Sequence, residues 1–120
     1  MKPSEHDIQA SFFEILSWEV NRDERFKSVY AIPNQGKRTM ATLLRFLKEG
    51  MKTGVPDICI PVPVGKYGAA YIEFKKPGER QTKKQKEWFE LLTKMGNLCV
   101  VHTCEVEAYR WLVKYFKGEQ

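Results

Sequence analysis

The sequence predicts an α/β domain in which a mixed β-sheet is flanked by helices, and three observations lead there. Apolar residues recur at helical spacing in four separate stretches, four other short runs are rich in Val, Ile, Tyr and Phe, and Gly, Pro or Asn mark most of the joins. Taken in order they read α-β-α-β-β-α-β-α, which suits a sheet with helices on both faces. A chain of 120 residues that is 42% apolar and 29% charged matches globular averages and is long enough for one cored domain, spanning residues 1–120. No apolar run approaches the roughly 18 residues of a spanning helix, and the opening MKPSEHDIQ lacks the apolar segment of a signal peptide. A cytoplasmic location and no membrane partner are therefore expected. The net charge of +5 favours polyanions, although many basic proteins have no nucleic-acid role.

The first helix should start near Glu5, where Ser4 and Asp7 resemble a capping box with Asp in the Glu position. Ile8, Phe12, Ile15 and Leu16 supply its apolar stripe. At about 100° per residue, Glu5 lies about 20° from Phe12 and Leu16, whereas Glu14 lies about 180° from Glu5. Glu5, with Gln9 beside it, thus shares the inward face. Either it is a first-turn acid placed for the helix dipole or it is a functional carboxylate. The polar run 21–25 should close this helix, and Ser28–Ile32 should form a strand ended by Pro33 and Asn34. After a basic turn at 35–38, Met40, Leu43, Leu44 and Leu47 mark a helix over Thr39–Glu49 that stops at Gly50.

Two runs, Asp57–Val62 and Ala69–Lys75, read as a hairpin whose link contains Gly65 and Gly68. A turn centred on residues 65–67 puts Asp57 opposite a residue between 73 and 77, so Asp57 and Glu73 can meet. Alternation puts Glu73 and Lys75 on one face and turns Ile72 and Phe74 into the core. Thr82 is the N-cap of a helix reaching Met95, with Trp88, Leu91, Leu92 and Met95 as its stripe and Gln85 facing the sheet. Leu98–Val101 reads as a buried strand, and Glu105–Lys117 as a helix packing through Val106, Tyr109, Val113 and Phe116. Cys59, Cys99 and Cys104 fit reduced thiols better than a disulfide framework. Cys99, His102 and Cys104 lack the close spacings and the fourth ligand of a structural zinc site.

Asp57, Glu73 and the backbone carbonyl of Phe74 are oxygen donors of the kind that Mg²⁺ takes while leaving its other positions to water and phosphate. An ion held there would acidify water, and the Lys75 ammonium can orient a nucleophile or offset charge on a phosphate. The same residues can equally form a charge ladder on a solvated sheet face. The wider set is more specific. GVPD at 54–57, EFK at 73–75 and QKEWFELL at 85–92 resemble the PD-(D/E)xK nuclease superfamily, and within it the VRR-NUC family. SEHDIQ and GNLCVV match the family's early Glu-bearing helix and later Gly-strand, so the likeness runs over the whole chain, as in standalone members found in phages and prophages.

The resemblance implies a restriction-endonuclease-like core and a Mg²⁺- or Mn²⁺-dependent deoxyribonuclease. It implies that Asp57 and Glu73 bind the metal and Lys75 serves the attacking water. Glu5 would complete the acidic cluster, directly or through water, and Gln85 would support the site. It also implies a homodimer acting on branched DNA such as four-way junctions, in the host cytoplasm if the chain is phage-encoded. Lys37 and Arg38, in the family-like PNQGKR segment, together with Lys76 and Lys84, are candidate phosphate contacts, with solvated surface as the other reading. Trp111 and Tyr115 can be either an exposed dimer surface or core. A non-catalytic DNA-binding module of the same fold is the alternative, and dependence on divalent metal separates the two.

Overall fold

Two antiparallel pairings and one parallel pairing build the sheet of the computed structural model, which describes residues 2–33 and 39–120. The strands β1 (Tyr30–Ala31), β2 (Ile58–Ile60), β3 (Ala70–Phe74) and β4 (Leu98–His102) lie side by side in chain order. β2 and β3 pair antiparallel with Ile58 opposite Ile72 and Ile60 opposite Ala70, while β3 and β4 run parallel. Continuing the hairpin register by one residue sets Asp57 beside Glu73, as the spacing of the two runs predicts. The helices are α1 (Glu5–Ser17), α2 (Arg25–Ser28), α3 (Met40–Lys48), α4 (Lys83–Lys94) and α5 (Glu105–Phe116). The expected order therefore holds, with the short α2 added.

One sheet face carries the core. Ile58, Ile60, Ala70, Ile72 and Phe74 cluster with Ile8, Phe12 and Leu16 of α1 and with Ala108, Leu112, Tyr115 and Phe116 of α5. Phe12 meets Phe74 edge to face at 5.4 Å between ring centroids, an arrangement worth about 0.5–1.5 kcal/mol beyond its buried area. That contact fixes α1 over β3. The start of α1 is set by the Ser4–Asp7 capping box, in which the Asp7 N–H donates to Ser4 Oγ at 3.1 Å and the Ser4 N–H donates to Asp7 Oδ2 at 3.0 Å. Two orphan donors of the first turn are satisfied there, and Glu5 becomes the first helical residue.

Several sequence expectations change. The join between the polar run at 21–25 and the expected strand folds as α2, which takes Arg25 from the run and Ser28 from the strand. Burial of Phe26 against Phe116 outweighs the helix-breaking composition, and Arg25 stacks 4.6 Å over the Phe116 ring while pairing with Asp23 at 2.7 Å. In α5 the inward face is Ala108, Leu112, Tyr115 and Phe116, and Val106 is exposed. Tyr115 is fully buried, its hydroxyl donates to the Val62 carbonyl at 2.6 Å, and Trp111 stacks on its ring, so this pair is packed structure rather than a free surface. β4 is half-buried, with Val101 exposed, because it is the outer strand of the sheet. The stripes of α3 and α4 also fail to close on the core. Met40 (68% exposed), Leu44 (52%) and Met95 (67%) face outward, as do Leu47 and Leu91.

Candidate active site

Carboxylates gather where the hairpin meets the N-terminal ends of α1 and α4. Asp57 precedes β2, and one of its oxygens is already engaged, since the Phe74 N–H donates to Asp57 Oδ2 at 2.7 Å. The sequence reading assigned the Phe74 carbonyl to the site, and the structure adds that the Phe74 N–H anchors Asp57. Across from it, Glu73 is 1% exposed, and its Oε1 has no hydrogen-bond partner. A buried carboxylate oxygen without a donor is costly unless a cation or a proton meets it. Burial first, then the hydrogen-bonding and charge of Asp57, push Glu73 up to about 9, with Lys75 opposing them.

Lys75 is itself buried, at 5% exposure, and its N–H donates to the His102 carbonyl at 3.0 Å. β4 therefore holds the backbone of the lysine while its ammonium acts on Glu73 and Glu5. Glu5 does face inward from α1, as its place on the helix predicts. Burial, then the hydrogen-bonding and charge of Glu79, raise it to about 7, with Lys75 lowering it and Asp57 raising it slightly further. The structure thus brings Glu5, Asp57, Glu73 and Lys75 together.

Glu79 is the member that sequence reasoning missed. It ends the turn Lys76–Glu79, where its N–H donates to the Lys76 carbonyl and the Lys76 N–H donates to Glu79 Oε1, both at 3.0 Å. Its signal in the sequence is faint, an acid just after Pro77 and Gly78 that the turn folds back toward the E-x-K strand. Hydrogen-bonding from Glu5, then from the Lys76 backbone, holds Glu79 below the usual carboxylate range.

Gln85 has a double position. Its Oε1 accepts from the Thr82 N–H at 2.8 Å and the Gln85 N–H donates to Thr82 Oγ1 at 3.2 Å, a capping box that starts α4. It also lines a small cleft with Asp57, Gly54, Thr53, Lys52 and Pro33. Gly54 makes this approach possible. Its φ is +81°, and a Cβ there would sit 2.7 Å from Lys84 Cβ and 3.0 Å from the Lys84 carbonyl carbon. A second groove shares Lys52 and Thr53 with the cleft and passes Lys84, Trp88 and Leu91. Its wall is tied by Trp88 Nε1–H donating to the Thr53 carbonyl at 2.8 Å and by Lys84 Nζ donating to Thr53 Oγ1 at 2.9 Å. Lys76 and Lys84 are exposed beside the site, and Lys37 and Arg38 lie outside the described residues.

Among the described residues, no three acidic, imidazole or thiol side chains are grouped so as to cage an ion unaided. The donor set fits a hard cation that keeps water ligands: two adjacent carboxylates, one oxygen buried and partnerless. Among the same residues, no helix is long and apolar enough to cross a membrane.

A family model described as the VRR-NUC domain matches residues 5–108. A solved structure described as a VRR_NUC domain protein superposes with a TM-score of 0.80 at 25% sequence identity, covering 98% of this chain and 92% of that one. Comparison with curated protein sequences gave no significant match.

Proposed function

This chain belongs to the VRR-NUC family, a nuclease-like, DNA-acting fold, and from that premise we propose that it is a Mg²⁺- or Mn²⁺-dependent DNA endonuclease. The observation that carries the proposal is the buried Glu73 carboxylate, its Oε1 without a hydrogen-bond partner, set against Asp57 with Lys75 at its side. Asp57 and Glu73 would hold the ion, with the Phe74 carbonyl as a further donor and Glu5 joining directly or through water. The ion, when bound, supplies Lewis acidity and acidifies a water. Asp57 can give Oδ1, because Oδ2 is fixed by the Phe74 N–H.

Lys75 has two tasks in this reading. Its ammonium orients the attacking water and offsets the charge that grows on the phosphate, and burial strengthens both effects. Gln85 lines the cleft with its carbonyl oxygen used in the helix cap, which would leave its NH₂ to donate to a phosphate or water there. The DNA backbone would follow the groove from Asp57 past Lys52 and Lys84, with Lys76, Lys37 and Arg38 as further phosphate contacts.

The uncovered apolar side chains of α3 and α4 fit a second copy of this chain. A two-fold dimer would carry two cutting sites, which suits branched DNA such as a four-way junction. The test is a panel of single-stranded, duplex and four-way-junction DNA incubated with Mg²⁺, Mn²⁺ or EDTA, with Lys75→Ala as control. Metal-dependent nicking that is lost in the control is expected, most strongly on the junction. Binding without nicking under any metal condition would overturn the proposal in favour of a non-catalytic DNA-binding module.

A further inference from the structure

The groove beside the active cleft combines cations, an indole and a mouth that is already fixed. Lys52 and Thr53 line both spaces, whereas Lys84, Glu87, Trp88 and Leu91 line the groove alone. Three ties hold the mouth. Gly54 lets the loop touch the start of α4, Lys84 Nζ donates to Thr53 Oγ1 at 2.9 Å, and Trp88 Nε1–H donates to the Thr53 carbonyl at 2.8 Å. A groove held in this way exists before anything enters it, so binding carries little ordering cost.

The Trp88 N–H is spent on Thr53, and what the indole offers the groove is carbon surface. Lys84 uses one N–H donor on Thr53 and keeps the others, while Lys52 is exposed. Both lysines stand at the end nearest the cleft, because Lys52 and the Thr53 partner of Lys84 line the cleft as well. Glu87 belongs with Trp88 to the part beyond, where its charge turns phosphate back toward the lysines. Leu91 ends the groove at the apolar face offered to a second copy. The space of about 300 Å³ is at the low end of the roughly 300–1,000 Å³ of ligand sites, room for one nucleotide and not for a duplex. Bases of every kind stack on aromatic side chains, and their phosphates seek cations.

We infer that this groove takes a single unpaired nucleotide adjoining the phosphate to be cut, its base against Trp88 and its phosphate on Lys52 and Lys84. The inference rests on the reading of the cleft as a nuclease site, and it names the DNA accepted there: strands that are unpaired or interrupted beside the cut. Continuous duplex must break a base pair to fill the groove, whereas a gap, flap or branch point gives up the nucleotide at little cost. Trp88 is thus a specificity residue and takes no part in bond breaking.

Trp88→Leu and Trp88→Phe form the test, because both lose the N–H bond to Thr53 and only Phe keeps a ring. Binding of oligothymidylate and of continuous duplex to the full chain in EDTA is followed by fluorescence anisotropy. Trp88→Leu should bind the single strand about tenfold more weakly than Trp88→Phe, while the two variants bind duplex equally. Irradiating the wild type with a strand carrying bromodeoxyuridine should crosslink it at Trp88, a readout that needs no variant to fold. No single-strand binding, equal single-strand affinity of the two variants, a loss as large on duplex, or crosslinks only at other residues would overturn the groove. Nicking of the same DNAs by the wild type with Mg²⁺ would then leave the nuclease reading standing, and its absence would overturn that reading too. A ring effect at Trp88 without metal-dependent nicking would keep the groove as a strand-binding site and overturn the nuclease reading alone.

Discussion

Replacing Glu73 by Gln tests whether this carboxylate is held for a cation. In the metal-free protein Glu73 is pushed up to about 9 from an ordinary 4.5, chiefly by burial and by Asp57. The folded state then keeps it neutral at pH 7 while the unfolded chain ionises it. A raised folded value means that the contribution to stability is full below pH 4.5 and is lost as pH climbs through about 9. At pH 7, about 2.5 pH units above the unfolded value, folding must take up a proton at about 1.4 kcal/mol per unit, on the order of 3 kcal/mol. Gln needs no proton. In EDTA at pH 7, Glu73→Gln should be more stable than wild type by roughly 3 kcal/mol, raising Tm by roughly 10 °C. The gap should close near pH 4.5. Adding Mn²⁺ should raise the wild-type Tm and not that of the variant. Thermal and urea unfolding between pH 4.5 and 9 measure all of this. A variant less stable than wild type in EDTA, or a difference independent of pH, would refute the reasoning.

Other perturbations follow from single contacts. Asp57→Ala leaves the Phe74 N–H without its acceptor and should cost about 1–3 kcal/mol in urea unfolding, whereas Asp57→Asn keeps an acceptor and should cost less than half as much. Gly54→Ala forces a Cβ against Lys84 at positive φ and should lower stability by about 1–3 kcal/mol while weakening Mn²⁺ binding, measured by calorimetry. If a second copy covers α3 and α4, where Leu44 and Leu91 are exposed on the single chain, Leu44→Glu with Leu91→Glu should yield a monomer by light scattering and abolish the dependence of Tm on protein concentration.

The parts of the fold that sequence reasoning reached are those governed by local rules. The Ser4 and Thr82 caps, the stripe of Ile8, Phe12 and Leu16, and the alternation of Ile72, Glu73 and Phe74 all follow from periodicity and backbone hydrogen-bonding needs. The inward turn of Glu5 came from the same geometry. What escaped depends on distant partners. Phe26 makes a helix of a polar stretch because Phe116 lies beside it, some ninety residues on. Val106 is left outside and Ala108 faces the core, because α5 packs on α1 through a face that takes in a small side chain. The apolar stripes of α3 and α4 are periodic enough to predict helices, but periodicity does not say whether the same chain covers them. Glu79 has no pattern at all, and only the turn at Pro77 and Gly78 brings it to Glu5.

The position of Lys75 bears on how the protein folds. β2 and β3 join through a short link, but β4 reaches β3 only after the α4 crossover, and the Lys75 backbone is pinned by His102 on that last strand. Glu5 arrives from the opposite end of the chain. The hairpin can form early from local contacts, while the charged cluster exists only once both distant segments have docked, a late event in a pathway limited by loop closure. Divalent ions should then slow unfolding and leave the refolding rate almost unchanged, since the transition state has no finished site to grip. The strand that clamps the lysine thereby makes this chemistry a property of the completed fold and of no intermediate before it.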